Sequence, residues 1–472
     1  MLLRNLRVGG ELVDIQLDDG LITAITPTAP SDGGFDAGAR WATPGLWDNH
    51  VHFSQWTLQT QRFDVSAARS AAEAAQLVGA AVLGPLFIGV GFRDGLWPDA
   101  PTAAALDETT GDVPVVLISG DLHAVWLNSA ALAHFGESSS GTTGSGLLRE
   151  EPAFAITAAV GELQAELLDD WAIEAGRVAA ARGVVGFADL EMAWNLDTWQ
   201  RRMAAGFDSQ RVEFAIYSQH LDQAIARGLR TGQQLDALLS VGRFKVLTDG
   251  SLNTRTAWCA EPYPGTDERG RLEVPAETLV PLMRKALAAG IEPTVHAIGD
   301  AANTLALDAF EAVGAGGWIE HAQLVAESDF ERFGALGVTA SVQPEHAMDD
   351  RDVADRYWVS RTGRVMALRS LLDAGATLAF GSDAPVAPLD PWVAMAAAVG
   401  RARDGREPWH PEQRISTAEA LAASTRSTIA VGQPADLVIT DLDPLTATPE
   451  QLRSMPVCAT VLAGRFTFRE GM

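Results

Sequence analysis

The sequence predicts an α/β fold: a (β/α)8 TIM barrel with a small β-sandwich domain formed from both termini. Three observations predict it. Strand-like segments open and close the chain. The middle alternates short apolar runs with stretches of helical period. The length of 472 residues suits a barrel plus an accessory domain.

The chain begins with "LLRNLRVGG", "ELVDIQLDDG" and "LITAITP", whose alternation and Gly/Asp punctuation read as hairpins. It ends in the same style with "ADLVITDLD" and "VCATVLAGRFTF". Chain ends of a domain often lie close together. Residues 1–43 are therefore assigned to one part of a β-sandwich and 413–472 to a final helix and its second part. Residues 44–412 between them form the barrel. Its strand candidates are "TPGLWDNH", "VPVVLISG", "VVGFADLE", "RFKVLTDG", "EPTVHAIGD", "WIEHAQ", "VTASVQP" and "TLAFGSD". Stretches such as "AETLVPLMRKALAAG" and "AANTLALDAFEAVGA" have helical spacing. The gap after the first strand is the longest and is read as an insertion. The Gly/Ser-rich run at residues 136–146 is either a surface connection or an active-site lid.

Composition narrows the class of function. Lys and Arg total 35 against 61 Asp and Glu, a formal charge of −26. Such a surface repels phosphate backbones and anionic lipid, so no nucleic-acid or membrane partner is expected. Small-molecule chemistry or assembly into a homo-oligomer fits better. Two cysteines, Cys259 and Cys458, build no disulfide framework, and reduced thiols suit a cytoplasmic protein. The first residues carry no uninterrupted apolar signal region. The most apolar run, residues 77–92, falls short of the ~20 residues of a spanning helix.

Nearly every barrel-strand candidate ends in, or contains, a residue able to bind a metal or move a proton. The first holds His50 and His52, the fourth Lys245, the fifth His296, the sixth His321 and the eighth Asp383. In a (β/α)8 barrel the C-terminal strand ends form one face, where active sites sit. Side chains two residues apart on a strand share a side, so His50 and His52 can chelate one ion. Each residue has an ordinary alternative: a hydrogen-bonded structural histidine, or for Asp383 a helix N-cap. Lys245 lies in a strand expected to be covered on both faces. It either snorkels or pairs with Asp249, or burial lowers its pKa and the neutral amine takes up carbon dioxide as a carbamate ligand.

"PGLWDNHVH", the barrel histidines and "GSD" resemble the amidohydrolase superfamily. "DLHAVWLNSAAL", "FKVLTDGSLNTRTA", "VHAIGD", "IEHAQ", "SVQPEH" and "GQPADLVITD" narrow the resemblance to the branch that includes N-substituted formamide deformylases (amidohydrolase family 3). It spans nearly the whole chain. It implies a barrel with a β-sandwich, one or two divalent metals, and hydrolysis of an amide-like C–N bond in an N-formyl, N-acyl or cyclic amide. The implied metal ligands are His50, His52, carboxylated Lys245, His296, His321 and Asp383. Two departures stand out: Leu122 occupies a position usually held by Gly, and the segment between "ASTRST" and "GQPADL" is short.

Imidazole and carboxylate ligands suit zinc, with manganese or iron as alternatives. Metal-activated hydroxide attacks the carbonyl, and Asp383 serves as general base and then general acid. His123 is the first candidate for the oxyanion donor and His346 the second; each is otherwise a structural histidine. Trp126, Asn128 and Arg255 are candidate substrate contacts, with core packing the alternative for Trp126 and a surface ion pair for Arg255. Two other functions compete: a catalytically silent barrel used for binding or assembly, and an iron oxygenase. The full ligand set argues against the first, and its size against the second.

Overall fold

The computed structural model describes residues 1–30, 33–136, 145–162 and 165–470. Most of the Gly/Ser-rich run, residues 137–144, lies outside the described residues. Eight parallel strands form the barrel: β1 (Leu46–Val51), β2 (Val184–Asp189), β3 (Arg211–Tyr217), β4 (Leu239–Leu247), β5 (Pro293–Ala297), β6 (Gly317–His321), β7 (Val338–Val342) and β8 (Thr377–Phe380). Consecutive strands pair in order from β1 to β8. The seam closes just past the ends of β8 and β1, where Val51 bridges Ala384. There the Asp383 N–H donates to the His50 carbonyl at 2.7 Å and the His52 N–H to the Ala384 carbonyl at 2.8 Å. A Cβ on Gly381 would lie 2.6 Å from the His50 backbone nitrogen, so this approach requires glycine.

Burial follows from the parallel architecture. Every residue of β1, β2 and β5 is buried, because helices cover the outer face and side chains fill the barrel. The helix Asp300–Val313 shows how the sequence achieves this. It buries Ala302, Ala306, Leu307, Ala309 and Phe310 on one stripe and stops at left-handed Gly314. Helical periodicity supplies the stripe, and glycine tolerates the left-handed cap.

Seven of the eight expected strands belong to the barrel; "VPVVLISG" does not. Its Val115–Ser119 joins a five-stranded sheet inserted after β1, in the order Leu147–Arg149, Ala124–Leu127, Val115–Ser119, Phe87–Phe92, Phe63–Asp64. Val115 and Leu117 pack with Ala71, Ala74 and Leu106, while Val116 and Ile118 pack with Ile156 and Val160. A strand covered on both faces reads alike in either sheet. The missing strand is β3, whose Arg211 and Glu213 disguise it. Arg211 donates to Asp436 at 2.8 and 3.2 Å, and Glu213 pairs with Arg426 at 2.7 Å. These charges tie the barrel to C-terminal residues.

Both termini contribute to one eight-stranded sheet. Trp41–Pro44 lies between Leu2–Val8 on one side and Leu437–Thr440 on the other, which is followed by Val457–Leu462 and Arg465–Arg469. Leu3, Ile15 and Ile22 from the start share a core with Leu437, Ile439 and Val461 from the end. No helix among the described residues is long and apolar enough to cross a membrane.

Candidate metal centre

The C-terminal ends of β1, β5, β6 and β8, together with Lys245 of β4, deliver their polar side chains to one cavity. Asp383 is the hub. Its Oδ1 lies 3.2 Å from both His50 Nε2 and His52 Nε2, and its Oδ2 lies 3.9 Å from His346 Nε2. The His321 ring stands 4.9 Å from that of His50 and 4.4 Å from that of His296. His50, His52 and Asp383 present ligand atoms within 4.8 Å of one another, as do His321, His346 and Asp383. Both His321 (φ 73°) and Asp383 (φ 57°) adopt left-handed backbone conformations. That strain is characteristic of functional positions.

The buried donor set is only partly satisfied by protein. Among the described residues, His52 Nδ1, His296 Nε2, His321 Nδ1, His346 Nε2 and Lys245 Nζ have no hydrogen-bond partner. Buried polar atoms rarely go unpaired, and each costs about 1–3 kcal/mol when they do. Of these side chains, His296, His321 and Lys245 line one cavity with Asp383, while His52 faces the carboxylate through its other nitrogen, Nε2; the set fits a divalent cation. Burial, then the charge on Lys245, holds His296 well below its ordinary pKa; burial, then His296, does the same for His321. Neutral imidazole is the metal-binding form. Burial pushes Asp383 up, but His50, His52 and His321 outweigh it and hold the carboxyl well below its usual range.

Glu320, fully buried on β6, was not anticipated. It accepts from His50 Nδ1 at 2.8 Å and from Thr294 Oγ1 at 2.6 Å. The first contact fixes the His50 tautomer and leaves Nε2 facing Asp383. The signal was present in "WIEHAQ": an acid in a strand covered on both faces needs a reason as much as Lys245 does.

A family model described as "Amidohydrolase family" matches residues 34–468. The chain belongs to the amidohydrolase family. As an amidohydrolase it is a hydrolase acting on carbon–nitrogen bonds. It is 32% identical to Protein LONG AFTER FAR-RED 3 of Arabidopsis thaliana, across 81% of this chain and 73% of that one. It is 24% identical to an N-substituted formamide deformylase of Arthrobacter pascens, across 92% and 90%. Among solved structures, an uncharacterized metal-dependent hydrolase from Pyrococcus horikoshii matches with a TM-score of 0.79 and 26% identity, covering 95% and 99% of the two chains.

The amidohydrolase cavity has a volume of about 900 Å³ and is lined by His50, His52, Lys245, His296, His321 and Asp383, with His123 on the wall supplied by the insertion. His123 Nδ1 is 2.8 Å from Glu150 Oε2. Burial opposes the imidazolium, but Glu150 and then Asp121 overcome it and raise His123 to about 9. His346 starts the helix after β7 and lines a small adjoining cavity with Asp350.

Trp126, Asn128 and Arg255 lie away from the cavity lining. Trp126 is wholly buried, donates Nε1–H to the Thr102 carbonyl at 2.9 Å and packs edge-on against Phe92 and Trp97. Asn128 caps the helix Ser129–Phe135 and donates to Thr110 and Val113. The Arg255 guanidinium lies 5.5 Å from the centre of the Tyr357 ring. Lys245 does not pair with Asp249, which accepts from the backbone N–H groups of Trp258, Ile298 and Gly299. Asp383 caps no helix. Leu122, in the place of the usual Gly, lines the cavity with φ at 65°, where a side chain costs roughly 1–2 kcal/mol.

Proposed function

We propose that this amidohydrolase cleaves an N-formyl, N-acyl or cyclic amide at a centre of one or two divalent ions, with zinc preferred over manganese or iron. The observation that carries the reading is the convergence of His50, His52, His296, His321 and Asp383 with buried ligand atoms left without protein partners. The relative named an N-substituted formamide deformylase supports an amide-type substrate. In this reading residues 44–412 carry the site, and residues 1–43 and 413–472 support it.

The metal, when bound, supplies a Lewis acid and a water that ionises near neutral pH. Asp383 accepts the proton of the attacking water on a carboxylate oxygen and returns it to the leaving nitrogen. His123 presents its Nε2–H to the substrate carbonyl oxygen, where negative charge grows during attack. Glu150 holds the opposite ring nitrogen and so aims the donor. His346, whose Nε2 lies 3.9 Å from Asp383 Oδ2, would add a further donor to the ion beside His321 and Asp383. Lys245, as a carbamate, would add a further anionic ligand and so could help to hold a second ion.

Elemental analysis of unchelated protein should find about one to two equivalents of transition metal per chain. The metal-loaded protein should hydrolyse members of a panel of N-formyl, N-acyl and cyclic amides. Protein that carries no metal and gains no activity on loading would instead fit a silent binding barrel.

A pH profile isolates His123. Its pKa is raised in the folded protein, so the donor is present at neutral pH and is lost as pH rises through about 9. An alkaline limb of kcat/KM near 9 is therefore expected. In Glu150→Gln the main source of the rise is gone, and the limb should move down by roughly one unit or more. A limb that stays in place would remove His123 from catalysis.

A further inference from the structure

The cavity extends beyond the metal centre to a wall built from the segment after β1 and the loop after β2. Arg62 lines this wall. Among the described residues its Nε and Nη2, both shielded from solvent, have no hydrogen-bond partner, and no carboxylate lies within ion-pair distance. Its neighbours on the wall are already engaged. Arg201 and Arg202 both bind Asp169, at 2.7 and 3.1 Å, and Arg202 also donates to Ser54 at 2.8 Å. Glu191, the acid whose field reaches Arg62, instead accepts from Gln55 Nε2 at 2.8 Å and the Gln55 N–H at 3.2 Å. Arg62 is thus an unspent guanidinium in a protein whose net charge is −26. Arg62 is half-buried; shielded guanidinium N–H groups without a partner are costly, and a guanidinium matches a carboxylate through paired N–H donors.

Leu58, Phe154 and Met192 line the same cavity and add apolar surface to it. A molecule that satisfies the cavity therefore has an amide for the Asp383 end, an apolar body and an anionic group for Arg62. We propose that Arg62 is a carboxylate-recognition subsite and that the substrate is an N-acylated amino acid with an apolar side chain. This rests on the amide-hydrolase reading for the scissile bond, while the binding preference stands on Arg62 alone. Burial pulls Arg62 down to about 10, which leaves it cationic at neutral pH.

The test pairs N-formyl- and N-acetyl-leucine, as both enantiomers, with the corresponding leucinamides, which lack the charge. Binding to metal-loaded protein is measured by calorimetry and turnover by product release. For at least one pair the acid should bind about tenfold tighter than its carboxamide, or better, as a charge-assisted hydrogen bond predicts. Arg62→Met should abolish that preference, with the loss in Kd or KM rather than kcat. Arg62→Lys, which keeps the charge, should retain part of it; this second variant guards against misfolding of the first, with Tm recorded for both. Equal affinity within every pair, or no binding of any member, overturns the subsite. So does a preference that survives in a folded Arg62→Met. Preferential binding of the acids without hydrolysis of any amide would leave the subsite standing and count against the hydrolase reading. Turnover with no preference would do the reverse.

Discussion

Asp383→Asn is expected to keep the fold and lower kcat by about a hundred- to ten-thousandfold, the range of a lost general acid–base. The substitution preserves shape. The Asp383 backbone N–H still donates to the His50 carbonyl, so the barrel seam is retained. An amide, however, takes no proton from water and returns none to a leaving nitrogen. It also brings N–H groups toward His50 Nε2 and His52 Nε2, where Asp383 Oδ1 now sits at 3.2 Å. Metal content must be measured beside kcat, because a deficit through lost metal is separable from one through lost proton transfer. A metal-replete variant within tenfold of the wild-type kcat would remove Asp383 from the proton path.

Much of this site was legible because parallel topology turns sequence order into spatial position. Each strand of a (β/α)8 barrel ends on the same face, so His50, His296, His321 and Asp383 converge although they are far apart in sequence. The eight strands expected from the sequence and the eight of the barrel differ at one place. Val115–Ser119 is a fully buried apolar run like any barrel strand, while Arg211 and Glu213 made β3 look unlike one. What the pattern did not reveal are pairings that exist only in three dimensions. Glu150 with His123, and Glu320 with His50, join different segments of the chain. Arg62 is notable for the partner it lacks, and that has no counterpart in linear sequence. Trp126 and Asn128 sit in a motif that resembles a family signature, yet their atoms are occupied in holding the insertion together.

Lys245 leads to the other large expected effect. Its Nζ is buried on β4 without a hydrogen-bond partner among the described residues. Burial pulls its pKa from 10.5 to about 8, against the opposing charges of Glu320 and Asp383. That drop corresponds to a cost of about 3 kcal/mol for burying the ammonium. Because the folded pKa is depressed, the cost is full below about 8 and fades as pH rises toward 10.5. Divalent cations bound nearby would add to it, since like charges repel. The neutral amine offers a resolution: its nitrogen bonds the carbon of carbon dioxide, one proton leaves, and the resulting carbamate is an anion with two oxygens. Lys245→Met should then separate two roles. If the ammonium is a burden in the metal-free protein, the apolar side chain should raise its Tm. If the carbamate is a ligand, the same variant should lose metal and activity together, with kcat down about a hundredfold or more. Lys245→Ala should lose both as well, and a short carboxylic acid filling the vacated space should restore part of each. Wild-type Lys245 should in turn require bicarbonate for full metal loading. A Lys245→Met protein with full metal content, wild-type kcat and a lowered metal-free Tm would show instead a structural lysine beside a centre complete without it.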